Sequence, residues 1–285
     1  MAEKRVDFVT NEITTGHNAD GIEELNTPLP RWWLWTFYIT IIWGVIYTLA
    51  YPAWPMVSRA TNGFLDFSTR VQVAETIARH DAKNKDLIAE LLAVDFGDFD
   101  VQSDIYRYAA ARGASVFRAQ CSQCHGSGAA GSIGYPNLLD DDWLWGGTLI
   151  EITRSVRHGI RNLADDEARS SEMPKFGEFL SKDEISKLVL LVQNLSNNNY
   201  SQNSEAALLF AENCSSCHGT SGQGDRAVGA PNLNDAIWLY GGDEASIKAS
   251  ITNGRFGVMP AWGQRLSETD VLAVSIYLHS LGGGE

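Results

Sequence analysis

The sequence predicts an all-α chain: one N-terminal transmembrane helix, then two tandem copies of a small helical domain. Three observations carry this. No Asp, Glu, Lys or Arg occurs from Trp32 to Ser58. The pentapeptide Cys-x-x-Cys-His occurs twice, as CSQCH at 121–125 and CSSCH at 214–218. The same succession of short motifs follows each copy, a repeat of roughly 90 residues, which is domain-sized and too long for a solenoid unit.

Residues 1–31 form a polar segment holding Lys4, Arg5 and Arg31 against six acidic residues. The run WWLWTFYITIIWGVIYTLAY, Trp32 to Tyr51, has 20 residues. As a helix it reaches roughly 30 Å, the thickness of a hydrocarbon core. Trp32, Trp33 and Trp35 crowd one end and Tyr51 and Trp54 mark the other, as in an aromatic belt. The 32–54 stretch is therefore expected to be a single membrane anchor. A cleaved signal peptide does not fit, because a long polar segment precedes the apolar run instead of a short basic one. Lys/Arg counting beside the span does not choose a side.

Residues 55–105 read as a linker with one mixed-charge helix, VAETIARHDAKNKDLIAELLAV. The first half, 106–198, runs CSQCHG, YPNL, WLWGG, RHGIR, EMPKFGEFL and an apolar helix; the second, 199–285, runs CSSCHG, APNL, WLYGG, TNGRFG, VMPAWGQRL and another. The boundary falls near NLSNNNYSQNSE, 194–205, where apolar periodicity disappears.

All four cysteines sit in the two motifs, so none remains for a structural disulfide. A thioredoxin-like site would need a βαβ setting, and no β-rich segment surrounds either motif. A zinc site would need four ligands from the same residues. His directly after the second Cys is the signature of c-type haem attachment. Cys121, Cys124, Cys214 and Cys217 are thus expected to hold two covalent haem c groups, with His125 and His218 on the iron from one side. A second axial ligand is needed for electron transfer without substrate binding, and a thioether is common. Of four methionines, Met173 and Met259 alone lie in the halves, each before a proline, 48 and 41 residues after His125 and His218. They are the expected distal ligands. Whether each serves its own half or the other's stays open.

The remaining histidines carry plainer expectations. His80 reads as solvated, His158 as surface or haem edge, and His279 as a packing residue of the last helix. Arg161 and Arg255 follow the glycine of each turn and stand within possible reach of haem carboxylates.

Phe117 and Phe210, four residues before each first Cys, and the closing helices ISKLVLLVQNL and DVLAVSIYLHSL resemble class I cytochrome c domains over about 106–198 and 204–282. The stretch TTGHNADGIEELNTPLPRWWLWTF, with His17, resembles the segment before the anchor in the dihaem subunit (subunit III) of cbb3-type cytochrome c oxidases. Ala19 departs from the aromatic residue expected there. The resemblance covers the whole length. It implies a cytoplasmic N-terminus in a bacterial inner membrane, with both haem domains periplasmic, since covalent haem loading takes place on that face.

It also implies a relay: electrons from a donor cytochrome c pass to a monohaem subunit and the haem–copper catalytic subunit. No cluster of copper ligands is readable, so the chain is expected to carry electrons and not to reduce oxygen itself. A net charge of −13 and pI near 4.9 argue against nucleic acid and favour a basic partner. Basic and acidic side chains are nearly balanced over 106–198, 10 against 11, but number 4 against 9 over 200–285. Electrons are therefore expected to enter at the C-terminal haem. Two other readings compete: an anchored dihaem carrier for a different redox enzyme, and a dihaem peroxidase. The two equivalent Met loops speak against the peroxidase.

Overall fold

The computed structural model describes residues 4–94, 103–196 and 201–285. Parts of the expected linker (95–102) and of the boundary between halves (197–200) lie outside the described residues. Two compact units are present, 1–83 and 84–285.

The first unit opens with a feature the all-helical expectation lacked. Strands β1 (Thr14–Ala19) and β2 (Ile22–Leu25) form an antiparallel hairpin. Asp20 and Gly21 connect them with φ of 54° and 89°, the double left-handed geometry that Asp-Gly supplies in a tight hairpin turn. The Asn18 side chain accepts from the Gly21 N–H at 2.9 Å and braces it.

Helix α1 (Arg31–Ala50) starts after Pro30 and stops where Pro52 removes a donor, with Tyr51 already extended. It is long and apolar enough to cross a membrane. Only Ala50 on it is buried, which is how a lipid-facing helix looks without lipid. Thr36, Thr40 and Thr48 return their hydroxyls to backbone carbonyls of the same helix, so they present no unsatisfied donor to an apolar surround. The helix ends before Trp54, shorter than the anchor expected to that residue. The single linker helix is two, α2 (Thr69–Lys83) and α3 (Lys85–Leu92), interrupted at Asn84.

The second unit holds α3 and helices α4 (Asp104–Val116), α5 (Ser122–His125), α6 (Leu149–His158), α7 (Lys182–Asn194), α8 (Glu205–Asn213), α9 (Ser215–His218), α10 (Glu244–Asn253) and α11 (Glu268–Ser280). The starts of the longer ones are written into the sequence. Ser103, Thr148, Ser181, Ser204, Asp243 and Ser267 each accept a hydrogen bond from a backbone N–H of the first turn. Thr148–Glu151 and Ser181–Glu184 complete full capping boxes.

The tertiary packing departs from the order of the chain. The last helix of the second half, α11, lies on α4 and α6 of the first half. The last helix of the first half, α7, lies on α8 and α10 of the second. One apolar core joins Phe117, Leu138, Ile152 and Val156 to Val271, Val274 and Leu278. The other joins Ile185, Leu188 and Val192 to Phe210, Ile247 and Ile251. The repeats along the chain and the bodies in space are thus different groupings. We call the body containing 121–125 the first and that containing 214–218 the second.

Two glycines explain how the exchange fits. A Cβ on Gly159 would lie 2.3 Å from the Met259 carbonyl oxygen, and one on Gly254 would lie 2.3 Å from that of Met173. Both glycines have positive φ, 75° and 68°. They leave room for the Met-bearing segment of the other half to run against the turn.

Candidate haem sites

In the first body, a π-helical turn, Phe117–Cys121, follows α4 and hands the chain to the short helix α5. Cys121, Cys124 and His125 then sit three and four residues apart on one helical turn, which puts them on one face. In the second body α8 runs directly to Cys214, and α9 places Cys217 and His218 likewise. Gly126 and Gly219, with φ of 78° and 75°, end each turn in a conformation other residues rarely adopt.

Each histidine is oriented by its half's Pro-Asn-Leu segment. His125 Nδ1 lies 3.0 Å from the Pro136 carbonyl oxygen, and His218 Nδ1 lies 3.0 Å from that of Pro231. A carbonyl only accepts, so Nδ1 carries the proton and Nε2 keeps its lone pair for a metal. Burial lowers both histidine pKa values, partly offset by that hydrogen bond, and favours the neutral ring a metal requires. Burial also pushes the Cys121 and Cys214 thiols up to about 11, with a smaller contribution from the neighbouring Cys124 and Cys217. All four cysteines are unpaired with one another. The donor set of each body, two free thiols on one helical turn beside an imidazole with a bare Nε2, fits a covalently held haem.

The methionines arrive from across the exchange. Met259 pairs with Ile160, by hydrogen bonds of 2.9 and 3.0 Å, and packs against the core that contains Cys121. Met173 pairs with Arg255 and packs against the core that contains Cys214. Each methionine thus packs in the body of the other half's motif.

His158 is held by carboxylates, with Nδ1 3.2 Å from Asp165 and Nε2 3.6 Å from Glu167. His279 Nε2 lies 2.9 Å from the backbone oxygen of Glu285, at the chain's end and not in a core. His80 and His17 are exposed. Arg161 and Arg255 both reach the junction of the bodies, where they lie over Trp145 and Tyr240. The reading of the sequence gave no role to Pro136 and Pro231, although PNL recurs in both halves. It also passed over Arg169, whose guanidinium likewise lies over Trp145.

The chain also has known relatives. Residues 108–192 and 201–278 match the family model described as cytochrome c oxidase, cbb3-type, subunit III, and residues 11–58 match that for the N-terminal domain of cytochrome oxidase-cbb3, FixP. The cbb3-type cytochrome c oxidase subunit CcoP of Cereibacter sphaeroides is 52% identical over 276 residues, 95% of each chain. Subunit FixP of Azorhizobium caulinodans is 48% identical over 283 residues, covering 98% of this chain and 96% of its own. Subunit CcoP of Rhodobacter capsulatus is 48% identical over 285 residues, 95% of this chain and 96% of its own.

Proposed function

Because the chain belongs to the family of cbb3-type cytochrome c oxidase subunit III, we propose that it is the oxidase's dihaem electron-transfer subunit. It receives electrons from a donor cytochrome c and passes them toward the monohaem and haem–copper catalytic subunits. It does not itself reduce oxygen. The observation that carries this is the doubled donor set: in each body, two free thiols, an imidazole with Nδ1 committed to a proline carbonyl, and one methionine from the opposite half.

Cys121 and Cys124, and Cys214 and Cys217, would each hold one haem c by thioether bonds. His125 with Met259, and His218 with Met173, would be the iron ligands. The group so held would supply one-electron chemistry, at a potential raised by the thioether. The protein's own part is to fix the imidazole and the thioether of each body in place and to leave no ligand position to small molecules.

Helix α1 anchors the subunit in the inner membrane by a single pass, with the hairpin segment cytoplasmic and both bodies periplasmic. This topology rests on the apolar helix and on where covalent haem attachment takes place. The donor is expected at the second body. With residues 172–254 assigned there, it carries 10 acidic and five basic side chains, against 11 and nine in 103–171 with 255–285. An acidic surface steers a basic partner and raises its association rate in a salt-sensitive way.

The test is a reduced-minus-oxidised visible spectrum and oxygen uptake on the complex purified gently from native membranes. A c-type band with co-purifying b-type haem and oxygen uptake is expected. A c-type band without oxygen uptake from an intact complex defeats the oxidase reading in favour of a carrier for another enzyme. Neutralising Asp225, Asp235, Asp243 and Glu244 together is expected to slow turnover severalfold with a basic donor and to flatten its salt dependence. Unchanged kinetics defeat the assignment of the donor site.

A further inference from the structure

The two histidine-bearing loops are each built around a closed turn, and each turn has an aromatic ring of the other body at its back. In the second body the Gly224 N–H donates to the His218 carbonyl at 2.8 Å. Asp225 and Ala230 then exchange backbone hydrogen bonds of 3.0 and 2.9 Å, and Pro231 follows. In the first body the Gly131 N–H donates to the His125 carbonyl at 2.8 Å. Ser132 and Tyr135 exchange bonds of 3.0 and 2.8 Å, and Pro136 follows. Each proline carbonyl oxygen lies 3.0 Å from the Nδ1 of its histidine. Proline has no N–H, so no hydrogen bond from its own amide fixes its plane. Where its carbonyl points depends on the turn before it and on what holds that turn.

What holds it comes from across the junction. The turn of the second body carries Gly229, buried and with a φ of 62°. A Cβ there would lie 2.2 Å from Cε2 of Trp145, so the indole of the first body fills the space a side chain would take. Trp145 is itself only 8% exposed. The Arg161 and Arg169 guanidiniums lie 5.8 and 5.6 Å from its ring, and Arg169 Nη1 donates to its carbonyl. Ser171 Oγ, also from the first half, donates to the carbonyl of Val228, the neighbour of Gly229. The turn of the first body carries Gly134, with a φ of 84°. A Cβ there would lie 3.4 Å from Cε1 of Tyr240, and the Gly134 N–H donates to the Leu239 carbonyl at 2.8 Å. The Arg255 guanidinium lies 4.2 Å over that tyrosine ring.

Trp145 and Tyr240 occupy the same place in the WL-aromatic-GG motif of the two halves. Neither belongs to the body whose histidine its turn serves. Interiors are close-packed, and a ring removed from behind a turn leaves a void into which that turn relaxes. The crossing is unequal. Trp145 fits tightly against Gly229, whereas Tyr240 meets Gly134 at ordinary contact distance with a backbone hydrogen bond beside it.

We propose that Trp145 and Tyr240 are crossed positioning residues. Trp145 orients His218 through the 225–230 turn and the Pro231 carbonyl, and Tyr240 orients His125 through the 132–135 turn and the Pro136 carbonyl. Each histidine is thus steadied from the body that does not hold it. The Nδ1 hydrogen bond, which sets how strongly the imidazole donates to a metal, depends on the junction staying closed. The redox part of the test rests on the haem assignment above, and the structural part does not.

The experiment uses the full chain within its complex, carrying Trp145→Leu, Trp145→Phe or Tyr240→Leu. Backbone amide exchange is measured at 224–230 and at 131–135, and both haems are titrated. Cys217→Ala, which leaves one vinyl group unattached, moves the visible band of the second haem and so identifies it. Trp145→Leu is expected to speed exchange at 224–230 about tenfold and to leave 131–135 unchanged. A weakened Nδ1 hydrogen bond makes His218 a poorer donor to ferric iron. The oxidised-to-reduced ratio of the second haem at fixed potential is therefore expected to fall about threefold, with the first haem unchanged. Tyr240→Leu is expected to give the mirror result at 131–135 and the first haem, smaller because the bond from Gly134 to Leu239 remains. Leu272→Ala removes core from the first body away from the junction and is expected to move neither readout of the second. Where Trp145→Leu loses its haem, Trp145→Phe carries the test through exchange at 224–230. A chain without a c-type band defeats the haem assignment, while exchange still judges the brace. Unchanged exchange and ratio at the second body in the Trp145 variants overturn the proposal. So does a change confined to the first body, or an equal change in Leu272→Ala.

Discussion

In the first body α4 and α11 cross so closely that a Cβ on Gly113 would lie 2.0 Å from the Ala273 carbonyl oxygen. In the second body the position eight residues before the first Cys is Ala206, and α8 is nine residues long where α4 is 13. The first body also has a further layer, in which α3 lays Leu91 with Ile105, Ala109, Leu272 and Ile276. No equivalent of α3 covers the second body among the described residues. The same set of parts has been given two levels of support. The first body is buttressed, and the second is barer and more acidic.

The strongest challenge to this comparison is to ask which methionine belongs to which body. In a chain whose second motif is disabled by Cys214→Ser and Cys217→Ser, Met259→Ala is expected to abolish the methionine–iron absorption band of the remaining haem, while Met173→Ala leaves it. The reverse result would return each body to its own half and undo the exchange. Next in size is the helix crossing. Gly113→Ala is expected to cost about 2 kcal/mol despite Ala's better helix propensity, because backbone must move. Ala206→Gly is expected to cost only about 1 kcal/mol. Thermal unfolding of the haem-loaded chain measures both, and equal costs would remove the distinction between crossings.

The smallest effect concerns the groove where the bodies meet. Asp142 there is pushed from 3.8 to about 6, first by burial and then by Asp235 and Asp140. The folded state then binds this proton more tightly than the unfolded state, so stability falls as pH rises from about 4 to about 6. Asp142→Asn is expected to flatten that slope and to stabilise the chain slightly at pH 7, an effect kept small by the group's partial exposure. A slope unchanged by the substitution sinks the assignment to Asp142.

The chemistry was legible because it is local. Cys-Cys-His spacing and a Met-Pro in each half are short-range patterns. The exchange was not legible for the same reason. Both Met loops and both closing helices resemble each other, so either fits either motif by pattern alone. What decides is a long-range steric match: Gly113 takes the backbone of α11, and Gly159 and Gly254 take the opposite Met segments. The hairpin is a different case. Asp20-Gly21 signals a tight turn in the sequence itself, and the flanking polar residues hid two short strands that bury only Thr14. The break at Asn84 falls inside one continuous mixed-charge run, so it read as one helix.

The exchange also sets an order of events as the chain is made. His125 leaves the ribosome 134 residues before Met259 and the helix that closes its core, and α7 emerges before the motif it will cover. Contacts this distant in sequence form late and slow folding. The first body therefore stays open until nearly the whole chain is present, whereas every part of the second lies within 172–254 and is made earlier. A chain that stops after α10 carries a complete second core beside a first one that lacks its closing helix, which is the kind of product proteolysis removes.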